Sequence, residues 1–290
     1  VNGILCIDKP CGPSSMAAVA QVKRALGVSR VGHSGTLDPK ASGLLVTALG
    51  HATRLLPYLP LEPKAYLFTI VFGTATDTLD SDGAVVAEGG AIPGEEQIRA
   101  VLGSLVGEIE QTPPRYSAVK VRGVRAYRLA RNSRLFSLSP RKVRIRSLTL
   151  NGWDAVRGEA AVLVECSAGT YVRSLARDMA EKLGTVGYAS SIRRSAMGMF
   201  SVEGALAPDA AAHELAAHVV PLDRVLAEQP GHIASARQIR ALSHGQDIRI
   251  ETFPAGHHHI FVFDDQKKLL AVARRVDHDT YHPVRVFGES

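Results

Sequence analysis

Residues 32–43 read GHSGTLDPKASG, and how this stretch is read decides the rest of the chain. Three glycines, a histidine, an aspartate and a proline share twelve positions. A glycine-rich loop can cradle phosphate, but no GKS/T ending follows and no GxGxxG is present, so nucleotide binding finds little support. Aspartate before proline is also a common turn residue. Two features set this turn apart. Thr36, Leu37 and Pro39 stiffen the segment carrying Asp38, while Gly35 and Gly43 on either side let other backbone or a ligand approach closely. His33 lies in the same loop and offers a ring that can stack on a base.

Working outward, GILCID (3–8) reads as a short buried strand closed by Lys9-Pro10, and Ser14 or Ser15 can cap a helix running to about Leu26. Downstream, 43–49 is an apolar strand and AYLFTIVFG (65–73) a strong one, rich in aromatic and β-branched residues. The TATDTLDSDG that follows reads as a solvated turn; its aspartates miss the alternate spacing of a calcium loop. Helical spacing of Ile98, Val101, Leu102 and Leu105 predicts a helix over 95–106. Strands are expected at 143–150 and 160–166, then a helix with Val172, Leu175, Ala176, Met179 and Leu183 facing inward, stopped by Gly184. Alanine-rich 203–230 should form linking helices, and strands such as HIFVFDD and LLAVARRV suggest a small β-rich unit after it. Without a strict βαβ rhythm, the expectation is an α+β fold with a mixed, mainly antiparallel sheet and flanking helices. The expected units are residues 1–228 and 229–290.

The chain has 290 residues, 46% of them hydrophobic and 21% charged, enough for a sizeable core. No apolar run approaches the ~20 residues that span a bilayer, and VNGILCIDKP lacks the pattern of a signal peptide. Cys6, Cys11 and Cys166 form no CxxC pair and read as thiols in a reducing cytoplasm. The histidines at 257–259 have no carboxylate arranged with them and read as a surface loop. Charge is uneven. From Arg115 to Arg146 there are eleven Lys or Arg and no Asp or Glu, so a chain of net +6 is net −5 elsewhere. That distribution fits a localised polyanion contact, with Tyr116, Tyr127 and Phe136 interleaved for stacking.

At this point the residues carry a family resemblance. GHSGTLDPKASGLL is similar to the GHxGTLDPxATGxL signature of the TruB family, tRNA pseudouridine synthases acting on the T-loop uridine. Four further segments resemble the family in order: GILCIDKPCGPSS, PKAYLFTIVFGTATDTLDSDG, QTPPRYSAVKVRGVRAYRLAR and CSAGTYVRSLARDMAEKLG. The resemblance implies the pseudouridine synthase fold with a PUA-like C-terminal domain, and the T-arm stem-loop of tRNA as partner. It implies Asp38 as the catalytic nucleophile, with Arg173 pairing with and aiming that carboxylate. Tyr66 would stack on the flipped uracil, Tyr171 and Ile192 would line its pocket, and His33 would fill space vacated in the RNA loop. Lys9, Lys120, Arg122, Arg125 and Arg131 are its further expected RNA-binding residues. No metal or cofactor is needed for a redox-neutral isomerisation, and the expectation is a cytoplasmic monomer without membrane contact. The sequence departs from the usual family pattern at 185–191, which leaves that loop and its RNA contacts open.

Two other functions fit parts of the pattern. One is an RNA-binding module without catalysis; the other is a glycosidase pairing Asp38 with a second carboxylate such as Asp77 or Asp178.

Overall fold

The structure, a computed structural model, describes residues 1–132, 134–227, 229–251 and 258–287. Among these, the dominant element is a nine-stranded sheet. Its main order is Gly3–Lys9, Ala41–Leu49, Gly187–Met197, Lys64–Phe72, Glu159–Cys166, Arg141–Asp154 and Gly107–Gln111. Val31–Ser34 joins the sheet beside Ala41–Leu49, and Phe200–Ser201 beside Gly187–Met197. Every pairing is antiparallel except Gly187–Met197 against Ala41–Leu49, which run parallel. The α+β class expected from the sequence is the class observed.

Local chemistry explains the elements. Lys64–Phe72 alternates buried and half-exposed residues, the period-two pattern of a strand with one face in the core. Ser14 accepts a hydrogen bond from the Ala17 amide and starts the Ser15–Leu26 helix, which Gly27 ends in the left-handed region at φ 62°. On one side of the sheet, Phe68, Ile70 and Val162 pack against Ile98 and Leu102 of Glu95–Ser104 and Leu175 and Met179 of Val172–Lys182.

A second, five-stranded sheet runs Gly231–Ile233, His259–Phe263, Leu269–Arg275, Thr280–Val286, Ile248–Arg249. Its Phe261, Leu269 and Val272 share a buried cluster with Ile4, Leu44 and Val46, so the two sheets meet through apolar side chains. Among the described residues, no helix is long and apolar enough to cross a membrane.

Several expectations change. Residues 32–43 are not one loop: Val31–Ser34 is a strand, Ala41 opens the next, and only 35–40 forms the loop between them. The segment expected as a loop at 185–191 belongs largely to Gly187–Met197, a strand in the middle of the sheet. Among the described residues, alanine-rich 203–230 forms only two short helices, Ala212–Ala217 and Leu222–Leu226. Of the three histidines, His257 lies outside the described residues, and His259 opens a strand rather than lying in a loop.

Candidate active site

Asp38 stands on a loop fixed from below. Leu37 is buried, and its amide and carbonyl bracket the Ser15 hydroxyl, each at 2.9 Å. The Asp38 carbonyl accepts from the Ala41 amide at 3.0 Å, turning the chain into the next strand. Lys9 is fully buried, and its ammonium donates to the carbonyls of Pro10, Pro13 and Pro39 at 2.8, 2.8 and 3.3 Å. The expected RNA contact at Lys9 is therefore corrected: the side chain is a brace under the Asp38 loop, sealed from any ligand. Its burial pushes the lysine below its usual pKa.

Arg173 comes from the first turn of Val172–Lys182 and is 4% exposed, buried rather than the solvated helix-end residue its position would suggest. Its Nη2 meets Asp38 Oδ2 at 2.8 Å and donates to the Tyr116 carbonyl at 2.9 Å. On the other side, Nη1 meets Asp80 Oδ2 at 3.3 Å and donates to the Thr78 carbonyl at 2.7 Å. Asp80 Oδ1 accepts from the Thr78 hydroxyl at 2.6 Å and the Asp82 amide at 3.0 Å. The turn expected to be solvated thus contributes a buried carboxylate. Four contacts on one planar guanidinium fix its plane, and with it the direction of Asp38. The Asp38 side chain remains 45% exposed, so one edge is tied and the rest is open.

That open edge faces two adjoining cavities of about 570 and 190 Å³, both lined by Asp38, Ser117 and Arg173. The outer one includes His33, Tyr127 and Arg131; the inner one is a slot between Tyr66, Tyr171, Ile192, Lys64 and Arg194. Sheet register builds the slot. Arg194 lies directly across from Tyr66 on the antiparallel neighbour, while Lys64 and Tyr66, two residues apart, share a face, as do Ile192 and Arg194. Burial raises the pKa of the Tyr66 hydroxyl, with the Arg194 charge pulling the other way. Lys64 and His33 are both pushed down, first by burial and then by the Arg194 charge. The Tyr171 amide donates to Gln111 Oε1 at 2.7 Å, and its ring lies 5.7 Å from the Arg141 guanidinium. Ser117 Oγ and His33 Nδ1 are buried with no hydrogen-bond partner among the described residues.

Lys120, Arg122 and Arg125 stand exposed on a hairpin, Lys120–Val121 with Val124–Arg125, beside the mouth. Arg131, on Ala126–Arg131, faces the outer cavity 5.8 Å from the Tyr127 ring. The basic segment is not uniform, however. Lys142, on the sheet's outer strands, is paired to Glu108 at 2.9 Å, so the rim proper is its earlier half. Asp77 holds the Ala84 amide at 3.0 Å, and Asp178 is bound by Arg177 at 2.6 Å in a separate hollow. Neither lines either of the two cavities described above.

Sequence reading missed Asp80, Ser117 and Arg194, and it quoted Lys64 in a K-x-Y motif without giving it a role. Lys64 and Arg194 did leave a signal, since each stands two residues along a strand from a residue already singled out.

The profile described as "TruB family pseudouridylate synthase (N terminal domain)" matches residues 23–172, and the chain belongs to this family. A tRNA pseudouridine synthase B of Caulobacter sp. (strain K31) is 35% identical over 99% of this chain and 96% of its own length. Its counterpart of the same name in Thermobifida fusca (strain YX) is 40% identical, with 100% and 99% covered. One from Wolbachia pipientis subsp. Culex pipiens (strain wPip) is 44% identical, but there the match spans 69% of this chain and only 57% of the relative. Among solved structures, a crystal structure of a Cbf5-Nop10-Gar1 complex is similar in fold, with TM-score 0.74 and 24% identity over 99% of this chain and 84% of that one.

Proposed function

We propose that the chain isomerises uridine to pseudouridine at position 55 in the T loop of tRNA, with Asp38 as nucleophile. The observation that carries this reading is the Asp38 carboxylate, aimed by a four-contact arginine, at the entrance to a slot walled by Tyr66, Tyr171 and Ile192. The reaction breaks the C1′–N1 bond, turns the detached uracil and rejoins it through C5; N1 gains a proton and C5 loses one. Attack by Asp38, at C1′ or at C6, makes a bond that must later break, a task suited to a carboxylate. Tyr66 stacks on the extruded base, Ile192 closes its other side, and His33 fills the gap left in the RNA loop.

Extrusion costs a few kcal/mol, which phosphate contacts from Lys120, Arg122, Arg125 and Arg131 offset. The five-stranded C-terminal sheet acts as a PUA-like second contact for RNA, and the enzyme works as a cytoplasmic monomer. Incubation with an unmodified T-arm stem-loop, followed by mapping of pseudouridine, tests the reading. Modification is expected at the one T-loop uridine; an RNA that is bound but left unmodified would contradict it.

A further inference from the structure

Two cations in the slot have no carboxylate. Arg194 is 1% exposed and donates from Nε to the Leu44 carbonyl at 2.8 Å and from Nη2 to the Gly35 carbonyl at 2.7 Å. Among the described residues it has no acidic partner. The Lys64 ammonium makes no hydrogen bond or ion pair there. The acids nearby are engaged elsewhere: Glu62 accepts from the Ala168 amide at 3.1 Å, and Asp38 is held by Arg173. Both cations close on the underside of Gly35. A Cβ there would stand 3.1 Å from Arg194 Nη1 and 3.5 Å from Lys64 Nζ. Holding two such charges side by side, Arg194 fully buried and Lys64 half-buried, is unfavourable unless something negative arrives between them.

Resting on the function proposed above, we infer that Lys64 is a further catalytic residue, held in place by Arg194, that carries the negative charge the uracil ring acquires during the reaction. Uracil is neutral when it enters. If Asp38 attacks C1′, the C1′–N1 electron pair departs with the ring and spreads over N1, O2 and O4. If Asp38 adds to C6 instead, the displaced pair moves to O4 as an enolate. Both routes put the charge on the base, inside the slot that Lys64 lines. The ammonium transfers no proton. Its attraction for the ring is weak before the reaction and strong during it, the condition for lowering a barrier rather than merely binding.

The test is single-turnover conversion of T-arm stem-loops carrying uridine or 5-fluorouridine at the target position, using wild type, Lys64→Met and Lys64→Arg. Fluorine eases negative charge on the ring but leaves no C5 proton to lose, so the second substrate is followed as loss of 5-fluorouridine. Lys64→Met is expected to lower kcat for uridine roughly tenfold or more, with RNA affinity and its salt dependence unchanged. The loss should shrink several-fold for 5-fluorouridine, and Lys64→Arg should recover part of the rate. Thermal stability should hold or rise, because an unpartnered cation is removed. Equal losses on both substrates would overturn the assignment. So would a loss confined to affinity with a flatter salt slope, which would make Lys64 a phosphate contact, or a fall in melting temperature, which would make it structural. If wild type itself converts no uridine, the functional reading fails first and this proposal falls with it.

Discussion

Asp80→Asn removes one charge from the far side of the Arg173 fork and changes almost nothing in volume. Arg173 and Asp80 have side chains 4% and 11% exposed, so solvent does little to screen their 3.3 Å contact. The amide cannot satisfy both of its neighbours. With Nδ2 toward Arg173, two donors face each other; flipped, Nδ2 faces the Asp82 amide that Oδ1 now accepts at 3.0 Å. Losing a hydrogen bond between charged groups in such a setting costs about 1.5–3 kcal/mol. Arg173 is then anchored mainly by two carbonyls and by Asp38 itself, so the Asp38 carboxylate inherits its looseness. If the whole loss is felt in the transition state, kcat falls roughly ten- to 150-fold. Because C5 exchanges its hydrogen for C1′, tritium release from 5-tritiated uridine in a T-arm stem-loop measures that step directly under single turnover. Thermal unfolding should shift down by roughly 3–10 °C. Asp77→Asn, on the same turn but outside both cavities, serves as the control and should change the rate less than about twofold. Asp80→Asn with an unchanged rate and an unchanged melting point would refute the idea that Arg173 is aimed from both sides.

Neutralising Lys120, Arg122 and Arg125 together should weaken RNA binding and flatten the slope of log affinity against log salt by roughly 2–3; filter binding over a salt series reads this, and an unchanged slope removes the hairpin from the interface. Gly43→Ala should sharply lower thermal stability, since φ is 98° and a Cβ would strike the Arg194 backbone on the neighbouring strand. A melting point equal to wild type would show that the two strands can part without cost. His33, whose pKa is lowered by burial and then by Arg194, binds its proton more readily unfolded than folded. Its contribution to stability is therefore present above the unfolded pKa of about 6.5 and lost as pH falls below it. His33→Gln should reduce the drop in urea midpoint between pH 7 and pH 5, and an identical drop would dismiss the effect.

Asp38, Arg173 and Tyr66 are legible through the resemblance of their segments to the TruB family rather than through residue type alone, and the structure brings all three to one pocket. Helices and strands with a clear apolar period were likewise readable to within a few residues. The Gly187–Met197 strand was not, for a physical reason. GYASSIRRSAM shows no alternation, because Arg194 points into the protein and is satisfied by the carbonyls of Gly35 and Leu44, far away in sequence. Asp80 was hidden in the same way. An aspartate in a DSDG turn looks solvated until a helix beginning at Val172 lays Arg173 against it. Lys9 was misjudged in the opposite direction, since a lysine beside a functional loop suggests RNA until three carbonyls are found around its ammonium.

Asp38→Asn tests the central claim most directly. The variant keeps the shape of the loop and is expected to bind the T-arm stem-loop with an affinity within about twofold of wild type, because the proposed phosphate contacts lie on the rim. It should release no tritium from 5-tritiated uridine above background and form no pseudouridine, even over long incubations. Release at a rate comparable to wild type would contradict the account, since the carboxylate that Arg173 holds at 2.8 Å would then not be the group that attacks.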